Sequence, residues 1–225
     1  MPKIKHKRFQ EIARFDHVIE WTDFPHGQGF NKAVWFESLF SGSDKLTLEL
    51  ACGKAEYTVG LAKRYPDRNF IGVDIKGNRM WVGANYSLTH QLRNTAFLRA
   101  YIGHLEHYIP RQSVEEIWII FPDPQLKKDR KKLTSARFLE LYKKLLVPDG
   151  TIHLKTDSHE LFEFTLEQIE LHNLTKLKQM DDVYANPSSP EELVDIQTYY
   201  EGLHVKKGRT IRYVQFSLDK YDKAD

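Results

Sequence analysis

The chain has 225 residues, 41% hydrophobic and 28% charged, with a formal net charge of +2. This describes an ordinary globular protein with apolar material for one sizeable core. Affinity for a polyanion would have to come from clustered basic residues, because the surface is not basic overall. A single cysteine, Cys52, excludes an internal disulfide and fits a reducing compartment. No apolar run approaches the roughly 18 residues of a membrane span, and the N-terminus lacks the apolar core of a secretory signal. A cytoplasmic protein without membrane partners is expected.

Residues 1–30 read as a basic arm and lead-in, and residues 31–225 as a single domain. Lys3, Lys5, Lys7, Arg8 and His6 precede an aromatic and Gly-rich stretch without a period; such a terminus either touches phosphate or frays. Asn31 is placed to cap a helix through Ala33, Val34, Trp35, Phe36, Leu39 and Phe40, ended by Ser41-Gly42-Ser43. Leu46 to Leu50 reads as a buried strand, followed by the turn Ala51-Cys52-Gly53-Lys54-Ala55 and a helix through Tyr57, Val59, Leu61 and Ala62. A second strand, Phe70 to Val73, ends at Asp74, about 20 residues after the turn, the spacing at which an acid meets ribose hydroxyls. A nicotinamide fingerprint is absent, since only Gly53 of the turn is glycine. Glu49 beside the turn would repel a pyrophosphate and attract an aminoacyl ammonium, which points to a nucleoside such as S-adenosylmethionine; an α/β unit without a ligand is the other reading. Gly77 to Leu92 reads as a helix and Thr95 to Arg99 as a third strand. His104 and His107 follow, three apart but without a third ligand nearby, so no metal is expected.

The segment from Glu116 to Leu133 is the most distinctive. Ile117 to Phe121 is a β-branched and aromatic run of the kind that makes a strand buried on both faces. Pro122 and Pro124 end it and restrict Asp123 between two fixed φ angles, presenting a carboxylate at the carboxyl end of a strand. Five basic residues then crowd together, Lys127, Lys128, Arg130, Lys131 and Lys132, with Asp129 the one acid among them. A polyanion beside a rigidly placed acid is the functional reading, and a solvated loop the alternative. Thr134 is placed to cap a helix through Phe138, Leu141 and Leu145, terminated by Pro148-Asp149-Gly150. Thr151 to Lys155 reads as a strand ending at Thr156-Asp157, where Asp157 either shares the rim with Asp74 and Asp123 or caps a helix; Ser158 also has capping chemistry. Asn186 to Pro190 reads as an exposed loop. Lys206, Lys207 and Arg209 precede a last alternating strand, Thr210 to Phe216.

Glu49-Leu50-Ala51-Cys52-Gly53, Gly72-Val73-Asp74-Ile75, Phe121-Pro122-Asp123-Pro124 with its lysines, Lys155-Thr156-Asp157 and Thr198-Tyr199-Tyr200-Glu201 occur in this order. With them the chain resembles the bacterial tRNA (guanine-N7-)-methyltransferase family from about Leu46 to Phe216. The resemblance implies an α/β, Rossmann-like class I methyltransferase fold: a seven-stranded, mostly parallel sheet with an antiparallel final strand and helices on both faces. It implies methyl transfer from S-adenosylmethionine to N7 of a guanine in the variable loop of tRNA. It further implies cofactor binding by Glu49, Gly53, Asp74 and Asp123, with Asp123 also at the catalytic centre, and substrate binding by Lys127, Asp157, Thr198, Tyr200 and Glu201. Lys128, Arg130, Lys131 and Lys132 would hold tRNA phosphates. Three departures from the family's pattern stand out. Ala51 and Ala55 stand where glycine is common, Gln125 where tryptophan is common, and no acid follows the third strand, leaving Tyr101 as the residue offered to adenine. A methyltransferase acting on a small molecule or protein, and an inactive RNA-binding relative, are the alternatives. The sequence leaves monomer and homodimer equally open.

Overall fold

The computed structural model describes residues 2–40 and 45–221. Among the described residues eight strands form one sheet: β1 (Val18–Glu20), β2 (Leu46–Leu50), β3 (Asn69–Val73), β4 (Thr95–Arg99), β5 (Val114–Ile120), β6 (Leu146–Thr156), β7 (Thr175–Met180) and β8 (Arg212–Ser217). Their order is β1-β4-β3-β2-β5-β6-β8-β7. All pairings are parallel except those of β8, which runs antiparallel to both β6 and β7. From β2 the chain builds outward through β3 and β4, then returns to place β5 on the other side of β2. Such a reversal opens a crevice at the carboxyl ends of the two central strands, where open α/β sheets place their ligands.

Burial explains the strand patterns. All five residues of β2 and of β3 are buried, as the central strands of a sheet covered on both faces must be. On β5, Ile117 and Ile119 enter the core with α2 (Lys32–Leu39), α5 (Ala136–Leu145) and α6 (His159–Leu171). Trp118 and Ile120 enter the opposite one, with α3 (Glu56–Arg64) and α7 (Glu191–Asp195). A third cluster joins α1 (Pro2–Ile12) and α4 (Gly77–Thr89) to Phe97 of β4.

Several expectations are corrected. The sheet has eight strands and not seven, β1 being a three-residue addition at one edge. Within the basic arm and lead-in, α1 lies against α4, with Arg8 over the Trp81 ring at 4.6 Å, and β1 pairs with β4. Ser135, not Thr134, occupies the N-cap position of α5, and its side chain makes no capping bond. Thr134 instead hydrogen-bonds Thr165 at 2.8 Å. That helix stops at Leu145 and runs straight into β6, which contains Pro148-Asp149-Gly150. Asn31 and Ser158 do cap their helices, accepting from the Val34 and Leu161 amides; the stop at Ser41-Gly42-Ser43 lies outside the described residues.

Candidate active site

The turn after β2 is built from residues in unusual backbone conformations. Ala51, Gly53 and Ala55 have φ of 55°, 57° and 59°, so two alanines occupy the left-handed region that costs a non-glycine residue roughly 1–2 kcal/mol. What holds Ala55 there is packing: it is fully buried against α4 at Gly83, where a Cβ would come within 2.7 Å of both Ala55 Cβ and the Lys54 carbonyl. Only glycine at 83 lets the helix touch the turn. Asp74, just past β3, ties the turn down from the other side. Its Oδ2 accepts from the Gly53 amide at 2.9 Å and its Oδ1 from the Lys76 amide at 2.8 Å.

Glu49 lies beneath this turn and is 3% exposed. Its Oε2 accepts from the Thr58 amide at 2.6 Å and the Thr58 hydroxyl at 2.5 Å. Burial nevertheless dominates and pushes its carboxyl up to about 8. The Cys52 thiol is raised well above its usual range by burial first and by the nearby acids second.

At the end of β5, Phe121 turns the chain with φ 46° and stacks on His204. Pro122 is buried while Asp123 is exposed on the rim. The Asp123 carboxylate accepts from the Gln125 amide at 3.1 Å, and Gln125 is itself left-handed, φ 48°. The structure therefore gives Gln125 a backbone role: it closes the turn that follows the prolines. Asp157, past β6, does not cap α6. Its Oδ2 accepts from Arg209 at 2.5 Å and lies 3.1 Å from His204 Nδ1.

Glu49, Gly53, Asp74, Asp123, Asp157, Thr198 and Tyr200 all border one cleft of about 610 Å³, together with Lys54, Arg79, His204 and Arg209. A second hollow of about 490 Å³ shares Ala51 and Asp74 with it and is walled by Ala100, Ile102, Leu133, Phe138 and Tyr101. Tyr101 is half exposed, its ring edge-on to Trp21 at 5.6 Å.

Two expected contact residues are buried and partnered inside the protein. Glu201 is fully buried, ion-paired with the equally buried Lys155, and accepts from the Tyr184 hydroxyl at 2.9 Å. With Thr198 it forms a reciprocal capping box at the start of α8 (Tyr199–Lys206), a Thr-x-x-Glu signature that the sequence carries. Lys132 is 6% exposed, pairs with Asp129 at 2.7 Å and lies over the Phe164 ring at 4.0 Å; it is not offered to phosphate. Lys127, Lys128, Arg130 and Lys131 are exposed. Sequence reasoning missed Lys54 and Arg79, which lie over the rings of Tyr199 and Tyr200 at 3.8 and 5.6 Å, because no spacing links α8 to the turn or to α4. His26 joins His104 and His107, with ring centres 5.0 and 5.9 Å away. Among the described residues no group of three His, Cys, Asp or Glu is arranged to hold a metal, and no helix is long and apolar enough to cross a membrane.

Residues 43–214 match a family model described as a putative methyltransferase. The tRNA (guanine-N(7)-)-methyltransferase of Porphyromonas gingivalis is 47% identical over 215 residues, spanning 94% of this chain and 88% of that protein. Its counterpart in Bacteroides thetaiotaomicron is 42% identical over 223 residues, spanning 97% and 87%. The crystal structure of the 16S rRNA methyltransferase KamB shares the fold, with a TM-score of 0.63 at 16% identity over 81% of this chain and 92% of that one.

Proposed function

The chain belongs to the tRNA (guanine-N(7)-)-methyltransferase family, and from that premise we propose that it methylates N7 of a variable-loop guanine in tRNA, with S-adenosylmethionine as donor and the cleft between β2 and β5 as the site. The observation that carries the reading is the convergence of Glu49, Asp74 and Asp123 on one cleft at the topological switch point. The chemistry of these groups fits the donor: a pyrophosphate would meet three acids, whereas a ribose diol suits Asp74 and an ammonium suits Glu49. The apolar second hollow suits adenine, with Tyr101 at its edge.

When bound, S-adenosylmethionine supplies an electrophilic methyl group on a cationic sulfur. Guanine N7 carries an in-plane lone pair and no proton, so the protein needs no general base and positioning dominates. Asp123, exposed on the rim, accepts hydrogen bonds from the guanine N1–H and exocyclic amine and offsets the positive charge that the base acquires. Exposed Lys127, Lys128, Arg130 and Lys131 hold phosphates beside it.

Incubation with labelled S-adenosylmethionine and unmodified tRNA, followed by mapping of the methyl group, tests this reading. Label on N7 of a variable-loop guanine is expected. In Asp123→Asn, turnover should fall by about 100-fold or more with tRNA affinity retained. Label on a small molecule or protein only, or no cofactor binding at all, overturns the reading.

A further inference from the structure

We propose that Leu126 is a wedge that enters the tRNA and occupies the place vacated when the target guanine is drawn into the cleft, an inference that rests on the tRNA reading above. A leucine with 60% of its surface exposed is out of place where it stands, on the lip of a polar cleft and next in sequence to two exposed lysines. Its position is nonetheless rigidly set. Pro124 precedes Gln125, whose amide is held by Asp123 at 3.1 Å, and the Lys128 amide returns to the Gln125 carbonyl at 2.9 Å. Leu126 and Lys127 are therefore the two central residues of a closed turn, at its tip. No core cluster claims Leu126.

The reaction supplies the reason for an apolar tip. Transfer along the in-plane lone pair of N7 requires the Hoogsteen edge of the base to point into the cleft toward Glu49 and Gly53. Glu49 on the wall of that cleft is only 3% exposed, and Pro124, Leu126 and Tyr200 line the same cleft, so a base reaches it most directly when it is splayed out of its stack. The unstacked gap it then leaves costs free energy unless an apolar side chain fills it. Leu126 sits just after the Asp123 carboxylate that receives the base, followed by exposed Lys127 and Lys128 to grip the neighbouring phosphates. Asp123 and Leu126 thus act on the two ends of one movement: the acid holds the base that has left and the leucine holds the space.

The test uses full-length tRNA with 2-aminopurine placed next to the target guanine, the base whose fluorescence rises when its neighbour unstacks. Without cofactor, wild type should bind and raise the signal by about several-fold. Leu126→Ala should bind with an affinity within about two-fold of wild type, because the phosphate contacts remain. It should fail to raise the signal and lose about ten-fold or more in single-turnover methylation, while Leu126→Met restores both. An equal fluorescence rise with Leu126→Ala, or no rise with wild type that still methylates the tRNA, overturns the wedge alone. Wild type that neither binds nor methylates the tRNA overturns the function assigned above and the wedge with it.

Discussion

Glu49 is an acid in a place where its charge is poorly tolerated. With two hydrogen bonds from Thr58 and almost no exposure, its carboxyl is still pushed up to about 8 from an ordinary 4.5. Between those two values the folded protein holds a proton that the unfolded chain has released, so stability falls as pH rises through that window. The contribution is fully present below the unfolded value of 4.5 and lost by about 8, with a slope of at most ~1.4 kcal/mol per pH unit. Urea unfolding at several pH values should show this decline in wild type and a flatter profile in Glu49→Gln; parallel profiles would refute it. At the same scale, the sequence revealed Glu49, Asp74 and Asp123 because each ends a strand recognisable from its apolar run. It did not reveal the left-handed conformations of Ala51 and Ala55, the second of which depends on Gly83 packing from another helix.

Among the elements, α8 depends most on a contact distant in sequence. Its capping box is local, but the Glu201 carboxylate also meets Lys155 of β6, and the lysine donates to Tyr57 of α3 at 2.9 Å and to the Leu193 carbonyl of α7 at 2.5 Å. One buried cation thus fixes three helices to the sheet and sets Thr198 and Tyr200 over the cleft. Burial lowers the Lys155 ammonium, and Glu201 opposes that fall. Glu201→Ala strands a buried charge and should cost about 3–5 kcal/mol in chemical denaturation, against about 1 kcal/mol for Thr198→Ala, which removes only a cap. Unchanged stability with a raised KM for tRNA would return Glu201 to the substrate contacts. Elements with strong apolar runs were legible from the chain alone. By contrast β7 was not, because Thr175 to Met180 is largely exposed with lysines at the sheet edge and shows no alternation.

For the whole molecule, a net charge of +2 conceals clustered basic residues. Acids and bases share the cleft lining, Glu49, Asp74, Asp123 and Asp157 with Lys54, Arg79 and Arg209, while Lys127, Lys128, Arg130 and Lys131, which follow its Pro124–Leu126 segment, and Lys206 and Lys207, which precede Arg209, are exposed. Replacing Lys128 and Lys131 together by alanine should weaken tRNA binding and reduce the slope of log K against log salt by roughly 1.4–1.8. Lys132→Met should leave that slope unchanged, because its ammonium is spent on Asp129 and Phe164. Filter binding across a salt series separates the two, and a slope lowered equally by Lys132→Met would reject the distinction.

By itself the sequence determined the succession of apolar strands from β2 to β6 and the final β8, the strand-end acids and the prolines that present Asp123, because apolar periodicity, proline geometry and chain order are local properties. Tertiary structure decided which of the charged residues face solvent. Lys131 and Lys132 are neighbours in one basic run, and Tyr200 and Glu201 neighbours in one motif, yet in each pair the first is exposed and the second buried. A charged side chain goes inward only where folding supplies a partner to offset its desolvation. Glu201 finds Lys155 46 positions away in sequence, and no sequence pattern states that the two will meet.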